Sequence, residues 1–317
     1  MDTFGHRFLL DIFGASHAPC VGVTLRGVPA TLPLTADDFT ADLLRRKSGA
    51  PGTTPRIEDD QPELDDRRAT DGTLTITFAN RNYRNEDYKD FTDIPRPGHA
   101  DFVAMARYGS LRDGWFSGRM TLPLVAAGVV AKKLIAPLMV EARLVEIGGV
   151  AAENTAAVGR LLDAAAAEGD SLGGLVECRC TNVPVGLGEP FFDSLESLLA
   201  HAVFSIPGIR GIEFGDGFAA ARMKGSEHND PIIDAAGHTS RNGAGGINGG
   251  LSNGNPIVFR VAVKPTSSIR KPQRTFDFAR GCLTDYSIPG RHDTCFALRV
   301  PPVVEAVSAC VFADLML

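Results

Sequence analysis

No apolar run in this 317-residue chain is long enough to span a bilayer; Lys132 and Lys133 interrupt the best candidate. Cysteine is sparse. Its six residues form no CxxC pair, which argues against a structural zinc site or any other metal centre and predicts reduced thiols in a cytoplasmic protein. A basic excess is also missing: the net charge of -6 argues against a nucleic-acid partner. The first residues lack the basic and apolar regions of a secretory signal, so a cytoplasmic location without membrane partners is expected. No low-complexity linker divides the chain, and its glycines fit neither Walker nor Rossmann spacing. What remains is a soluble globular composition, 44% apolar and 22% charged, with enough length for a sizeable core.

Two regions echo each other at a constant offset of 155 residues. Gly14-Ala15-Ser16 matches Gly169-Asp170-Ser171, Val28-Pro29 matches Val183-Pro184, Leu32 matches Leu187, and Leu43-Leu44 matches Leu198-Leu199. Each copy reads as strand, turn, helix. Val21, Val23 and Leu25 alternate as one strand face, and Thr35 with Asp38 caps a helix that buries Phe39 and Leu43. In the second copy Leu175 to Cys180 is the strand, and Asp193 or Ser194 caps a helix through Leu195, Leu198, Leu199 and Val203. Further strands are expected at Thr73–Phe78 and Ile257–Val263. Pro123 is expected to open a helix running through Ala136, and Pro301 or Pro302 another running towards Leu315. Strands arriving in runs between helices favour an α+β fold over a doubly wound sheet. The expectation is one domain, 1–317, with similar halves of roughly 1–150 and 151–317 and a ligand between them.

Several turns combine glycine with groups that handle protons or anions. Arg96-Pro97-Gly98-His99-Ala100-Asp101 places a histidine in a rigid turn beside an arginine and a carboxylate. His17 tips the small-residue turn Gly14–Ala18, where a ligand can approach the backbone closely. Arg45-Arg46-Lys47 ends the first helix, as anion site or simply as dipole complement, and Arg56 could join it. Arg112 and Arg119 flank Trp115-Phe116-Ser117-Gly118, which suits a flat ligand bearing a phosphate. Glycines crowd residues 243–250, Lys264-Pro265-Thr266-Ser267-Ser268 follows a strand with the donors a phosphate needs, and Gly290-Arg291-His292-Asp293 adds a second Arg-His-Asp group. Each segment alone also reads as a solvated turn. Together, in an acidic chain, they predict a small polyanionic ligand.

In this order, Gly14–Ala18, Arg45–Lys47, Arg96–Asp101, Val183-Pro184 with Gly186–Pro190, Gly215–Phe218, Gly245–Gly250, Lys264–Ser268 and Gly290–Asp293 resemble the chorismate synthase family over nearly the whole chain. The resemblance implies a β-α-β sandwich, usually a homotetramer. It implies a lyase of the shikimate pathway that turns 5-enolpyruvylshikimate 3-phosphate into chorismate and phosphate by 1,4-anti elimination. Reduced FMN is implied as cofactor without net redox change, lending electron density and recovering it. His17 is similar to the histidine that protonates the departing phosphate, His99 to the one near flavin N1, and Asp293 to the carboxylate assisting proton removal through flavin N5. Flavin contacts implied are Phe116, Ser117, Pro207, Gly208, Gly249, Lys264, Pro265, Thr266, Ser267, Ser268 and Arg291. Substrate anions fall to Arg45, Arg46, Arg112 and Arg119.

The chain departs from the family pattern in being shorter, in carrying Gly114–Arg119 where a glycine triplet and Arg-Ser-Ser are usual, and in Gly52 where an arginine is often found. These departures predict reduced flavin from an external flavin reductase, not intrinsic NADPH-driven reduction. A non-catalytic flavin or phosphometabolite binder on the same fold, and a phosphate-ester hydrolase, are the competing readings.

Overall fold

A computed structural model describes residues 2–82 and 91–317. Alternating apolar residues build two five-stranded antiparallel sheets. The first contains β1 (Thr3–Phe4), β2 (Leu9–Gly14), β3 (Cys20–Arg26), β4 (Glu63–Arg67) and β5 (Thr73–Ala79), in the order β1-β2-β3-β5-β4. The second begins with β6 (Met139–Ile147), β7 (Val150–Ala151), β8 (Gly174–Thr181) and β9 (Ile209–Phe214). A small ladder of β10 (Ile247–Asn248) and β11 (Leu251–Ser252) precedes its last strand, β12 (Ile257–Val263), and the order is β7-β6-β8-β12-β9. A separate hairpin joins β13 (Gln273–Asp277) and β14 (Cys282–Tyr286). Matching β2 with β6, β3 with β8, β5 with β12 and β4 with β9 makes the order of these four strands identical in the two sheets.

The helices are α1 (Thr40–Arg46), α2 (Asp101–Tyr108), α3 (Thr121–Leu134), α4 (Thr155–Glu168), α5 (Leu195–Phe204), α6 (Gly225–His228) and α7 (Pro301–Met316). α3 packs on β2, β3 and β5, α7 packs on β6 and β8, and the two helices pack on each other. α3 and α7 therefore fill the space between the sheets, an α+β sandwich. Val21, Val23 and Leu25 of β3 are fully buried, as are Ile257, Phe259 and Val261 of β12. α7 is buried all round from Pro301 to Ala313, as a helix with protein on every side must be.

Close approach of the central helices requires a glycine. A Cβ on Gly128 of α3 would lie 2.2 Å from the Cβ of Ala306 on α7. The two central helices start at or close to the expected prolines. α7 does start at Pro301, but α3 begins at Thr121, two residues before Pro123, because the 3-10 turn Gly118–Met120 runs straight into it. It stops before Pro137, where α conformation is disfavoured for the preceding residue. α1 likewise follows a 3-10 turn, Ala36–Phe39, and Asp38 accepts the Thr35 backbone N–H at 2.7 Å. For α5 the cap is Ser194, whose hydroxyl accepts the Ser197 N–H at 3.2 Å. Among the described residues no helix is long and apolar enough to cross a membrane.

Candidate active site

Arg119 precedes the first residue of α3 by two positions, and Arg299 precedes the first residue of α7 by two. Both stand at helix N-termini, where the helix dipole favours anions. Between them opens a cleft lined by residues from both halves of the chain.

The cleft gathers most of the residues singled out by sequence: His17, Arg46, His99, Phe116, Ser117, Arg119, Pro207, Gly208, Lys264 to Ser268, Arg291 and Asp293. Arg45, Arg112 and Gly249 stand apart from it. Consecutive helix residues point about 100° apart, so of Arg45 and Arg46 only one can face the cleft. Arg45 instead forms a two-pronged ion pair with Glu305 of α7, at 2.6 and 2.7 Å. Arg112 stacks on Trp115 at 4.0 Å and on Tyr108 at 4.9 Å. Gly249 turns the β10-β11 ladder.

The His99 turn is built as a unit. Gly98 takes the left-handed φ of 70° that lets the chain reverse ahead of His99. Buried Asp101 accepts from Arg96 Nε at 2.7 Å and Nη2 at 2.7 Å, and from the Arg96 backbone N–H at 3.0 Å. His99 Nδ1 lies 2.8 Å from Asp101 Oδ1 and 3.0 Å from Arg96 Nη2. The shorter contact is to an acceptor-only carboxylate, so the neutral ring carries its proton on Nδ1. Burial pushes the His99 imidazolium below its ordinary value, opposed by Asp101 and reinforced by Arg96, which leaves the ring neutral near pH 7. Burial would raise Asp101, but its bonds from Arg96 and His99 hold it well below the carboxylate range.

This turn is latched to the 264–268 loop. Arg96 Nη1 donates to Ser268 Oγ at 3.1 Å, Lys264 Nζ donates to the Gly98 carbonyl at 2.9 Å, and Ser267 Oγ donates to the same carbonyl at 2.8 Å. Burial, then the charge of Arg210, lowers the Lys264 ammonium. The buried hydroxyl of Thr266 has no partner in the protein.

Opposite lies the arginine cluster. Buried Asp60 accepts from Arg46 Nη2 at 2.6 Å and from Arg119 Nη1. Asn80 accepts from Arg119 Nε at 3.0 Å while donating to the carbonyls of Ala15 and Ala18, which ties Arg119 to the His17 turn. Arg56 donates to the Ser16 hydroxyl at 3.0 Å and to Glu58 at 2.7 Å. Arg299 bonds Asp293 at 3.2 Å and the Arg46 carbonyl at 3.0 Å, and the Thr54 N–H donates to Asp293 at 2.9 Å. Burial lowers the Arg46 guanidinium to about 10, with Asp60 opposing and Arg299 and Arg119 adding to the fall. It remains a cation at neutral pH. Arg46 Nε and Nη1 and Arg119 Nη2 are buried with no partner.

Sequence reasoning missed Glu58, Asp60, Asn80 and Arg299. Only Arg299 had a legible signal, its place before α7 repeating that of Arg119 before α3. The glycine at position 52 has a packing reason: its φ is 84° and a Cβ there would meet Leu162 and Leu298 at 3.0 Å.

Histidines and carboxylates stand here among guanidinium donors left without partners, an arrangement with the chemistry to receive small polyanions. The family model described as chorismate synthase matches residues 8–317. A chorismate synthase of Chitinophaga pinensis is 55% identical over 326 aligned residues, covering 100% of this chain and 97% of that protein. One from Dehalococcoides mccartyi is 41% identical over 351, covering 100% and 96%. A crystal structure of chorismate synthase superposes with a TM-score of 0.75 at 24% identity, covering 99% of this chain and 92% of that one, which shows a shared fold. The chain belongs to the chorismate synthase family, lyases of aromatic amino-acid biosynthesis.

Proposed function

We propose that this cleft converts 5-enolpyruvylshikimate 3-phosphate to chorismate and phosphate with reduced FMN bound alongside. The observation that carries the reading is the set of buried N–H groups without partners on Arg46 and Arg119, in one cleft with His17, His99 and Asp293. A substrate with three anionic groups, two carboxylates and a phosphate, supplies the missing acceptors.

The residues present fit a flavin phosphate and ring. The unpartnered Thr266 hydroxyl, with Lys264 and Ser268 nearby, offers donors to a phosphate, and Phe116, Pro207 and Gly208 offer a flat apolar wall. Ser117, Pro265, Ser267 and Arg291 complete that side. When bound, reduced FMN supplies electron density to the substrate and recovers it.

The protein positions and neutralises. Arg46 and Arg119 hold substrate oxyanions, stabilising charge as the C3–O bond breaks. His17 gives its proton to the departing phosphate. Asp293, fixed by Arg299 and the Thr54 N–H, stands to assist removal of the proton lost from C6. His99, held neutral by burial, would be driven towards its charged form by an anionic flavin ring beside it. A homotetramer, a cytoplasmic setting and an external flavin reductase complete the reading.

Anaerobic turnover tests it, with chorismate absorbance and phosphate release measured together. Both should appear in equal amounts, and only when FMN is reduced. Full turnover without flavin defeats the proposal, and phosphate release from generic esters without flavin points to a hydrolase.

A further inference from the structure

Asp60 places a carboxylate inside a cleft whose ligand is itself anionic. Its oxygens are divided, Oδ2 accepting from Arg46 Nη2 at 2.6 Å and Oδ1 from Arg119 Nη1. Each guanidinium commits one terminal nitrogen to Asp60. The Arg119 Nε is taken by Asn80 at 3.0 Å, while Arg46 Nε and Nη1 and Arg119 Nη2 stay buried without partners. Asp60 also adopts a φ of 55°, in the left-handed region that costs energy for a residue other than glycine. Its carboxylate is therefore held in place by its surroundings. Burial would raise it, but the two arginines keep it ionised below its ordinary value.

Two physical accounts of such a carboxylate predict opposite signs. A resident anion that merely competes for the arginines weakens ligand binding, so removing it tightens binding. A carboxylate that orders two mutually repelling cations strengthens ligand binding, because it fixes where their remaining N–H groups point. The divided oxygens and the spare donors favour the second account. Resting on the function proposed above, we propose that Asp60 is a positioning residue. It anchors Arg46 and Arg119 by one nitrogen each and so presents their other N–H groups as a preformed site for substrate oxyanions.

Asp60→Asn and Asp60→Glu test this, read by KM and kcat with reduced FMN and by calorimetric titration with inorganic phosphate. In Asp60→Asn an amide N–H₂ faces a guanidinium donor, so one arginine loses its anchor. KM should rise about tenfold or more with kcat within a few-fold, and phosphate binding should weaken in parallel. Asp60→Glu keeps the charge but moves it by about one C–C bond, ~1.5 Å, so KM should rise about threefold or more although nothing electrostatic is lost. Phosphate binding unchanged or tighter in Asp60→Asn overturns the proposal, as does an unchanged KM in Asp60→Glu. If Asp60→Asn fails to fold, Asp60→Glu carries the test. Wild-type protein that binds phosphate yet makes no chorismate counts against the proposed reaction, and the titration still judges Asp60.

Discussion

At His99 a carboxylate and a guanidinium crowd one ring nitrogen, with opposite effects on its charge. Asp101 favours the imidazolium, while burial, Arg96 and Lys264 disfavour it. Asp101→Asn removes the favourable partner and leaves Arg96 without its carboxylate, so the His99 titration midpoint should fall further. Imidazole NMR of the folded protein reads this directly, and a midpoint that holds or rises refutes the arrangement. His99→Ala should lower kcat by about 10²–10⁴-fold, the usual range for a proton-transfer group, with phosphate affinity largely kept. Unchanged turnover removes His99 from the reaction. At this scale the sequence was partly legible. Histidine in a Pro-Gly turn beside Arg and Asp also reads as a solvated turn, and only the company of the other Gly-Arg-His segments makes it a candidate site. Asp60 and Asn80 carried no such mark, since their partners lie 14 and 39 positions away and only folding joins them.

Among the elements, α3 and α7 carry the cleft on their N-terminal ends, so their spacing sets the separation of Arg119 and Arg299. Gly128 fixes that spacing. Gly128→Val forces a side chain into Ala306, 2.2 Å from where its Cβ would sit, and should cost about 1–3 kcal/mol or more. Urea midpoints measure the loss, and KM should rise as the arginines move apart. Gly159 on α4 is the contrasting case, with open space around its missing Cβ. Gly159→Ala should stabilise by about 0.5–1 kcal/mol from helix propensity alone. Equal responses at the two glycines defeat the argument. The elements were more legible than the contacts between them. The 155-residue offset lays β3 on β8 and α1 on α5, and alternation at Val21, Val23 and Leu25 gave the buried strand face. Periodicity could not show which of Arg45 and Arg46 faces the cleft, because that depends on Glu305 reaching across from α7.

Over the whole molecule, buried carboxylates join segments far apart in the chain. Glu305 on α7 binds Arg45 of α1 and Lys132 of α3, and accepts the Ala142 N–H of β6 at 2.8 Å. Asp60 joins the end of α1 to the start of α3. Asp101 fixes Arg96, which reaches Ser268 in the other half of the chain. Burial raises each of these carboxyls, but ion pairing outweighs it and holds all three below their ordinary values. A carboxyl with a lowered folded pKa stabilises fully above its unfolded value, about 4–4.5, and loses that contribution as pH falls through the folded one. His99 acts at higher pH. Its folded value is also lowered, so below about 6.5 the unfolded chain takes up a proton the folded one refuses. Urea midpoints should therefore be level from about pH 7 to 8, decline gently below about 6.5, and fall steeply below about 4.5. The steep limb should lose about 1.4 kcal/mol per pH unit for each extra proton bound by the unfolded chain. Glu305→Gln should flatten that limb by up to one proton's worth while lowering stability at pH 7, because Arg45 and Lys132 then share a buried neutral acceptor. A wild-type urea midpoint that stays constant from pH 5 to pH 3 shows that these carboxylates do not hold the halves together.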